Sequence, residues 1–144
     1  MRAYLAGYKI RYVPNSFIYH KGGNTAGMLP ASFIQFHAYK NRIYTYMKNM
    51  EIGTLLKVMP VHLLLYLAVT GAFFLRGQFS LGFAVLRSIW WNIVNIPLIL
   101  KKRKYLNTKI RKIRDRDYLH ELTRQVRPSY YIHLFTTSLA GYKD

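Results

Sequence analysis

The chain has 144 residues, of which 51% are hydrophobic, and 22 Lys+Arg against 5 Asp+Glu give it a formal charge of +17 at pH 7. That length suits one ordinary domain, with apolar content for a core or for membrane insertion, and the charge implies a polyanionic neighbour, either nucleic acid or the phosphate face of a membrane. The absence of cysteine excludes disulfides, thiolate catalysis and zinc–cysteine sites.

The charges divide the chain into three zones, 1–50, 51–100 and 101–144. No carboxylate precedes Glu51, so the first zone offers no aspartate or glutamate as base, nucleophile or metal ligand. The middle zone carries only Lys57, Arg76 and Arg87 as cations, and more than half of the basic residues follow residue 100. The first residues are mixed and polar, unlike a secretion signal.

In chain order, Met1 to Ala6 has helical character, and Gly7 stands where a left-handed C-cap ends a helix. Tyr8 to Val13 alternates β-branched and aromatic residues with Lys9 and Arg11, which predicts a strand with one solvated face. Pro14-Asn15 reads as a turn, Ser16 to Tyr19 as a second short strand with His20 at its end, and Lys21 to Pro30 as a glycine-bearing loop. Two such strands cannot fold alone, so this opening is expected to be the edge of a larger sheet, in a fragment or split product.

The order LAGYKIRYVPNSFIYHKGG, then FHAYKNRIYTYMKN, then paired apolar segments and a basic tail resembles the C-terminal end of family 2 glycosyltransferases of the rhamnosyltransferase-like kind. The matching residues are Leu5, Gly7, Tyr8, Val13, Pro14, His20, Asn41, Arg42, Lys48 and Asn49, with Lys40 where that family more often has arginine. The resemblance implies an α/β fragment, the edge of a GT-A domain built as a short β-hairpin plus helix, followed by a mainly α membrane-associated region. It further implies sugar transfer from a nucleotide-diphosphate donor to a lipid-linked or polysaccharide acceptor, with a divalent metal, Mn or Mg, in the complete enzyme. A separate N-terminal half would supply the nucleotide site and carboxylates, so this chain alone is expected to be inactive.

Within that resemblance His20 is a metal ligand beside the donor diphosphate; read by itself, it is a hydrogen-bonded loop histidine. Lys21 is a diphosphate contact or part of a surface loop. Asn41, Arg42 and Lys48 meet a lipid phosphate on the acceptor side, or form a solvated, headgroup-facing edge. His37, His62, His120 and His133 share no metal spacing and are read as structural or exposed.

Ala31 to Met50 repeats apolar and aromatic positions every three to four residues, which predicts a helix. Val58 to Leu75 has no formal charge and about the minimum length of a spanning helix, with Pro60 in its first turn and Thr70-Gly71-Ala72 as a packing surface. Phe79 to Leu100 is a second apolar segment, interrupted by Arg87, Asn92, Asn95 and Pro97. It spans only with Arg87 satisfied, or lies in the interface. Trp90 and Trp91 are interface anchors or packing residues.

Lys101 to Arg116 holds nine basic residues and one acid, Asp115. Lys101, Lys102, Arg103 and Lys104 are expected at anionic lipid headgroups, and Leu106, Ile110 and Ile113 give the helix an apolar stripe for lying on them. The adjoining apolar pair favours lipid over nucleic acid as the partner. Lys48 and Lys57 before the pair and the lysines after it predict that both ends are cytoplasmic, at the cell membrane. Asp117 to Val126 continues the helix and Pro128 ends it; the remainder is uninformative. Two functions follow: the membrane-anchoring part of a glycosyltransferase, or a small basic membrane protein without catalysis, an adaptor or remnant.

Overall fold

The structure, a computed structural model, describes residues 1–17, 19 and 28–123. Among the described residues every regular element is a helix: α1 (Arg2–Leu5), α2 (Ala31–Asn49), α3 (Ile52–Leu75), α4 (Phe79–Val94), α5 (Ile96–Lys109) and α6 (Asp115–Leu122). The expected α/β fragment with a β-hairpin is therefore corrected to an all-helical architecture. Tyr8 to Val13 is irregular, as are Ser16, Phe17 and Tyr19. The physical reason is the missing partner surface. Tyr8, Ile10, Tyr12 and Val13 are all exposed, and alternation stabilises a strand only when one face is buried and its backbone is paired. The turn at Pro14-Asn15 does form, with Ser16 N–H donating to the Val13 carbonyl at 3.2 Å.

The short helix α1 ends as expected at Gly7, which adopts φ +82°. Its backbone closes a Schellman motif, Gly7 N–H donating to Tyr4 O at 2.8 Å and Tyr8 N–H to Ala3 O at 3.0 Å. The same motif ends α3: Gly77 has φ +69°, Gly77 N–H donates to Phe74 O at 3.0 Å and Gln78 N–H to Phe73 O at 2.8 Å. That tight ending turns the chain directly into α4.

α2 and α4 run parallel, and α3 runs antiparallel to both. Residue pairs show the register. Tyr39 meets Tyr66 at 4.4 Å between ring centres, Tyr46 meets His62, and Asn92 Nδ2 donates to the Lys40 carbonyl at 3.2 Å. Ile43, Tyr66 and Val85 form the buried centre of this bundle, with Met47, Met59, Leu63, Phe73 and Ile89 around it. A second small core joins Leu5, Leu106 and Tyr118 from α1, α5 and α6, with Tyr4 stacked on Tyr118 at 5.9 Å.

Three boundaries differ from the sequence reading. The tail expected as one helix continuing from Asp117 to Val126 is broken after Lys109 into α5 and α6, and α6 ends at Leu122. α3 begins at Ile52 rather than Val58, so Pro60 lies inside the helix and leaves the Leu56 carbonyl without its usual donor. The second apolar segment is two helices bent by 65° at Asn95, whose side chain donates back to Trp91 O at 2.8 Å; Pro97 falls in the first turn of α5, where a missing N–H costs nothing.

Gly82 is buried where α4 meets α3, and a Cβ there would overlap the Phe74 ring. Phe79 and Phe83 pack against that ring at 5.9 and 5.3 Å, so it has little room to swing aside. Gly82→Ala is expected to destabilise the fold by about 1–3 kcal/mol through overpacking. Thermal melting followed by circular dichroism in detergent checks this, and an unchanged midpoint would show that the ring does move.

Candidate functional site

Three features stand together at one end of the bundle and along one helix: an apolar surface, a latch of buried charges, and a set of outward cations. The apolar surface belongs to α3. This helix has 24 residues; its most apolar stretch of 18 has a mean hydropathy of 2.0, and only 11% of that stretch is buried against the rest of the protein. Leu56, Val61, Leu64, Leu67 and Leu75 are all more than half exposed. The core helix of a soluble protein would bury such residues. A Cβ placed at Gly71 meets nothing, so the expected Thr70-Gly71-Ala72 packing surface is not used by Gly71 within this chain. Thr70 itself is buried, its hydroxyl donating to Tyr66 O at 2.8 Å.

The latch sits where α2 passes into α3. A helix end leaves unpaired carbonyls, and two arginines from later in the chain supply donors to those of α2. Arg103 Nη1 donates to Met47 O at 2.6 Å, and Arg111 Nη2 donates to Asn49 O. Arg111 also pairs with Asp115 at 2.9 Å. Asp115 in turn accepts from Glu51 N–H at 2.6 Å and from the Tyr118 hydroxyl at 3.2 Å, while Asp115 N–H donates to Glu51 Oε2 at 3.3 Å. The Asp115 side chain is 1% exposed. Burial pushes its carboxyl up, but the Arg111 guanidinium and the hydrogen bonds from Glu51 and Thr54 more than offset this and hold it below the ordinary carboxylate value. Burial, with the Asp115 carboxylate adding to it, raises the Tyr118 phenol.

The outward cations are the expected headgroup residues with one exception. Lys101, Lys102 and Lys104 are exposed. Arg103 is turned inward, 8% exposed, and is spent on the α2 terminus. Leu106, expected on a stripe lying against headgroups, is instead 2% exposed in the second core, with Ile110 and Ile113 packed beside it. These apolar residues have a protein surface to bury against, so Leu106, Ile110 and Ile113 do not form the outward stripe that the sequence suggested. Asn41 and Arg42 are exposed. Lys48 and Lys102 flank the Tyr44 ring at 4.5 and 5.7 Å, and burial pulls the Lys48 pKa below its ordinary value, with Arg2 and Lys102 adding repulsion. The structure thus brings Lys48 to Lys102, and leaves Asn41 and Arg42 outside that contact.

His20 and Lys21 lie outside the described residues, as does His133. Among the described residues no group of three or more histidines and carboxylates is placed to hold a metal ion. His62 is a packing residue, its Nδ1 3.0 Å from Val58 O and its Nε2 3.3 Å from the Tyr46 hydroxyl.

No protein-family model matches the chain, and no curated protein or solved structure does so either. Together with the absence of any strand among the described residues, this corrects the resemblance to the end of a family 2 glycosyltransferase. The hairpin that would make these residues a GT-A edge is not formed among the described residues. The roles drawn from it for His20, Lys21, Asn41, Arg42 and Lys48 go no further than the sequence.

Sequence reasoning missed the latch. Its one legible signal was scarcity, because an acid in so basic a tail invites the question of what it pairs with. Removing one partner of a buried pair leaves the other charge uncompensated, so Arg111→Ala is expected to cost about 3–5 kcal/mol, read by thermal melting. Since the folded Asp115 pKa is depressed, its contribution is complete above the ordinary carboxylate range and is lost as pH falls through the folded value. Asp115→Asn should therefore lower the melting midpoint at neutral pH and flatten its fall in acid; a parallel fall in both proteins would contradict the assignment.

Proposed function

We propose that the chain is a membrane-inserted helical module that binds anionic lipid headgroups and serves as an anchor or adaptor rather than as a catalyst. The observation that carries this reading is α3, long and apolar enough to cross a bilayer and largely uncovered by its own protein. A bilayer provides the burial that the fold withholds.

The charge distribution supports an orientation. Lys48 and Lys57 stand near the start of α3, and α4, running back alongside it, delivers Lys101, Lys102 and Lys104 to the same end, while Arg76 is the cation at the opposite turn. By the excess of lysine at one end, that end and both termini face the cytoplasm. The exposed lysines of α5 then meet the anionic leaflet, each contributing about 1 kcal/mol near the surface. Three of the four described acids are engaged structurally: Glu51 and Asp115 in the latch, and Asp117 accepting from Arg114 N–H at 3.1 Å at the start of α6; the fourth, Glu121, is exposed on α6.

The lack of cysteine permits a clean topology test. Gln78→Cys in the turn and Thr108→Cys at the end of α5, each in sealed vesicles, should react with an impermeant maleimide from opposite faces. Labelling of both from one face would show that α3 lies in the plane of the membrane. Salt washing should leave the protein on the membrane and detergent should dissolve it; release by salt alone would sink the inserted reading.

A further inference from the structure

At the end of the bundle remote from the latch, a cleft of about 590 Å³ opens between the N-terminal halves of α2 and α4. Phe33, Phe36 and Phe83 supply its apolar wall, and Ser80, His37 and Arg87 supply polar groups. Arg87 lies over the Phe36 ring with its guanidinium carbon 5.3 Å from the ring centre. The Lys40 ammonium lies over the same ring, also at 5.3 Å, and is 3.2 Å from His37 Nδ1. Two cations therefore converge on one aromatic ring. No aspartate or glutamate occurs anywhere in α2, α3 or α4, so neither charge has a carboxylate partner from the helices that build the cleft.

Such an arrangement is costly where Arg87 sits. It lies, exposed, in the middle of an otherwise apolar helix, and in an inserted chain a cation at bilayer depth costs about 2.5–3.5 kcal/mol on insertion scales. The ring faces recover part of that through cation–π attraction. A bound anion would recover more, because it removes the repulsion between Arg87 and Lys40 and accepts hydrogen bonds from the guanidinium fork. The wall adds a second requirement. Phe33 and Phe83 are 48% and 62% exposed, so the ligand that completes the cleft has an apolar part as well as a charged one.

We propose that this cleft binds a single phosphate-bearing amphiphile, an anionic lipid whose phosphate is held by Arg87 with Lys40 beside it and whose chain lies over Phe33, Phe36 and Phe83. The site is distinct from the lysines of α5, and the cost of Arg87 that favours it rests on the inserted reading proposed above.

The probe is dodecyl phosphate, titrated into the full chain in dodecyl maltoside micelles and followed by phosphorus NMR, with inorganic phosphate as the parallel arm. Dodecyl phosphate should bind, and Arg87→Gln should weaken it by about tenfold, the loss expected for one charge-assisted hydrogen-bonded contact. Ser80→Trp, at an exposed lining position, should block the cleft and weaken binding to a similar degree without disturbing the bundle. Lys101→Gln should bind as the parent chain does. Should Arg87→Gln lose helicity, the Ser80→Trp variant alone decides. Unchanged binding in a helical Arg87→Gln or in Ser80→Trp, an equal loss in Lys101→Gln, or inorganic phosphate binding as tightly as the amphiphile would each overturn the proposal. None of these outcomes bears on the topology of α3, which the labelling experiment tests separately.

Discussion

The Asp115 carboxylate, buried in a protein that has almost no acid to spare, is the contact on which the arrangement of helices depends. It neutralises Arg111, and Arg111 in turn closes the carbonyl end of α2. Its two-way exchange with the Glu51 backbone and side chain ties the start of α3 to the start of α6. That link adds to the packing of α5 on α2, where Arg103 donates to Met47 O, in joining the bundle of α2, α3 and α4 to the small core of Leu5, Leu106 and Tyr118. A buried ion pair is by itself weak evidence of stability. Here it is accompanied by hydrogen bonds to both carboxylate oxygens, which is the condition under which such a pair repays its desolvation.

From that anchor point the molecule divides its labour by surface. α5 and α6 bury Leu106 and Tyr118 against Leu5 of α1, and α5 presents Lys101, Lys102 and Lys104 outward. α3 does the reverse, presenting leucines outward and keeping its few polar groups, Thr70 and His62, toward α2 and its own backbone. Polar side chains within α4 are handled in the same way: Ser88 donates to Val85 O and Asn92 to Ser88 O. These bonds to the carrying helix, together with the Asn92 donation to Lys40 O of α2, accompany an asparagine and a serine at 2% and 0% exposure.

How much of this could be read beforehand depended on the range of the interaction. Local signals were legible. The periodicity of 31–50 gave α2 to within one residue, Gly7 marked the end of α1, and the apolar run after Lys57 marked α3, although a charge ends hydropathy and not a helix, so the start was placed too late. The interruptions at Asn95 and Pro97 were visible, and the bend lies there. Tyr8 to Val13 misled because alternation states what a strand requires without supplying the sheet that meets it. The latch was out of reach, since Glu51 and Asp115 are separated by 64 positions and nothing in either neighbourhood points to the other. The inward turn of Arg103 was equally hidden, because a run of four basic residues does not say which of them faces a helix terminus.

Lys57 gives the proposed span a definite thickness. The helix begins at Ile52, but the uncharged stretch runs only from Val58 to Leu75, about 27 Å at the rise of an α-helix. That is short of the hydrocarbon depth of an average bilayer, about 30 Å, and close to that of the thinnest cellular membranes. A Lys57 ammonium extended along its stem to the headgroups would fix the depth at one end, leaving the Arg76 turn to draw the opposite leaflet inward. A spanning α3 would therefore partition by bilayer thickness, collecting in thin regions and leaving sterol-rich ones.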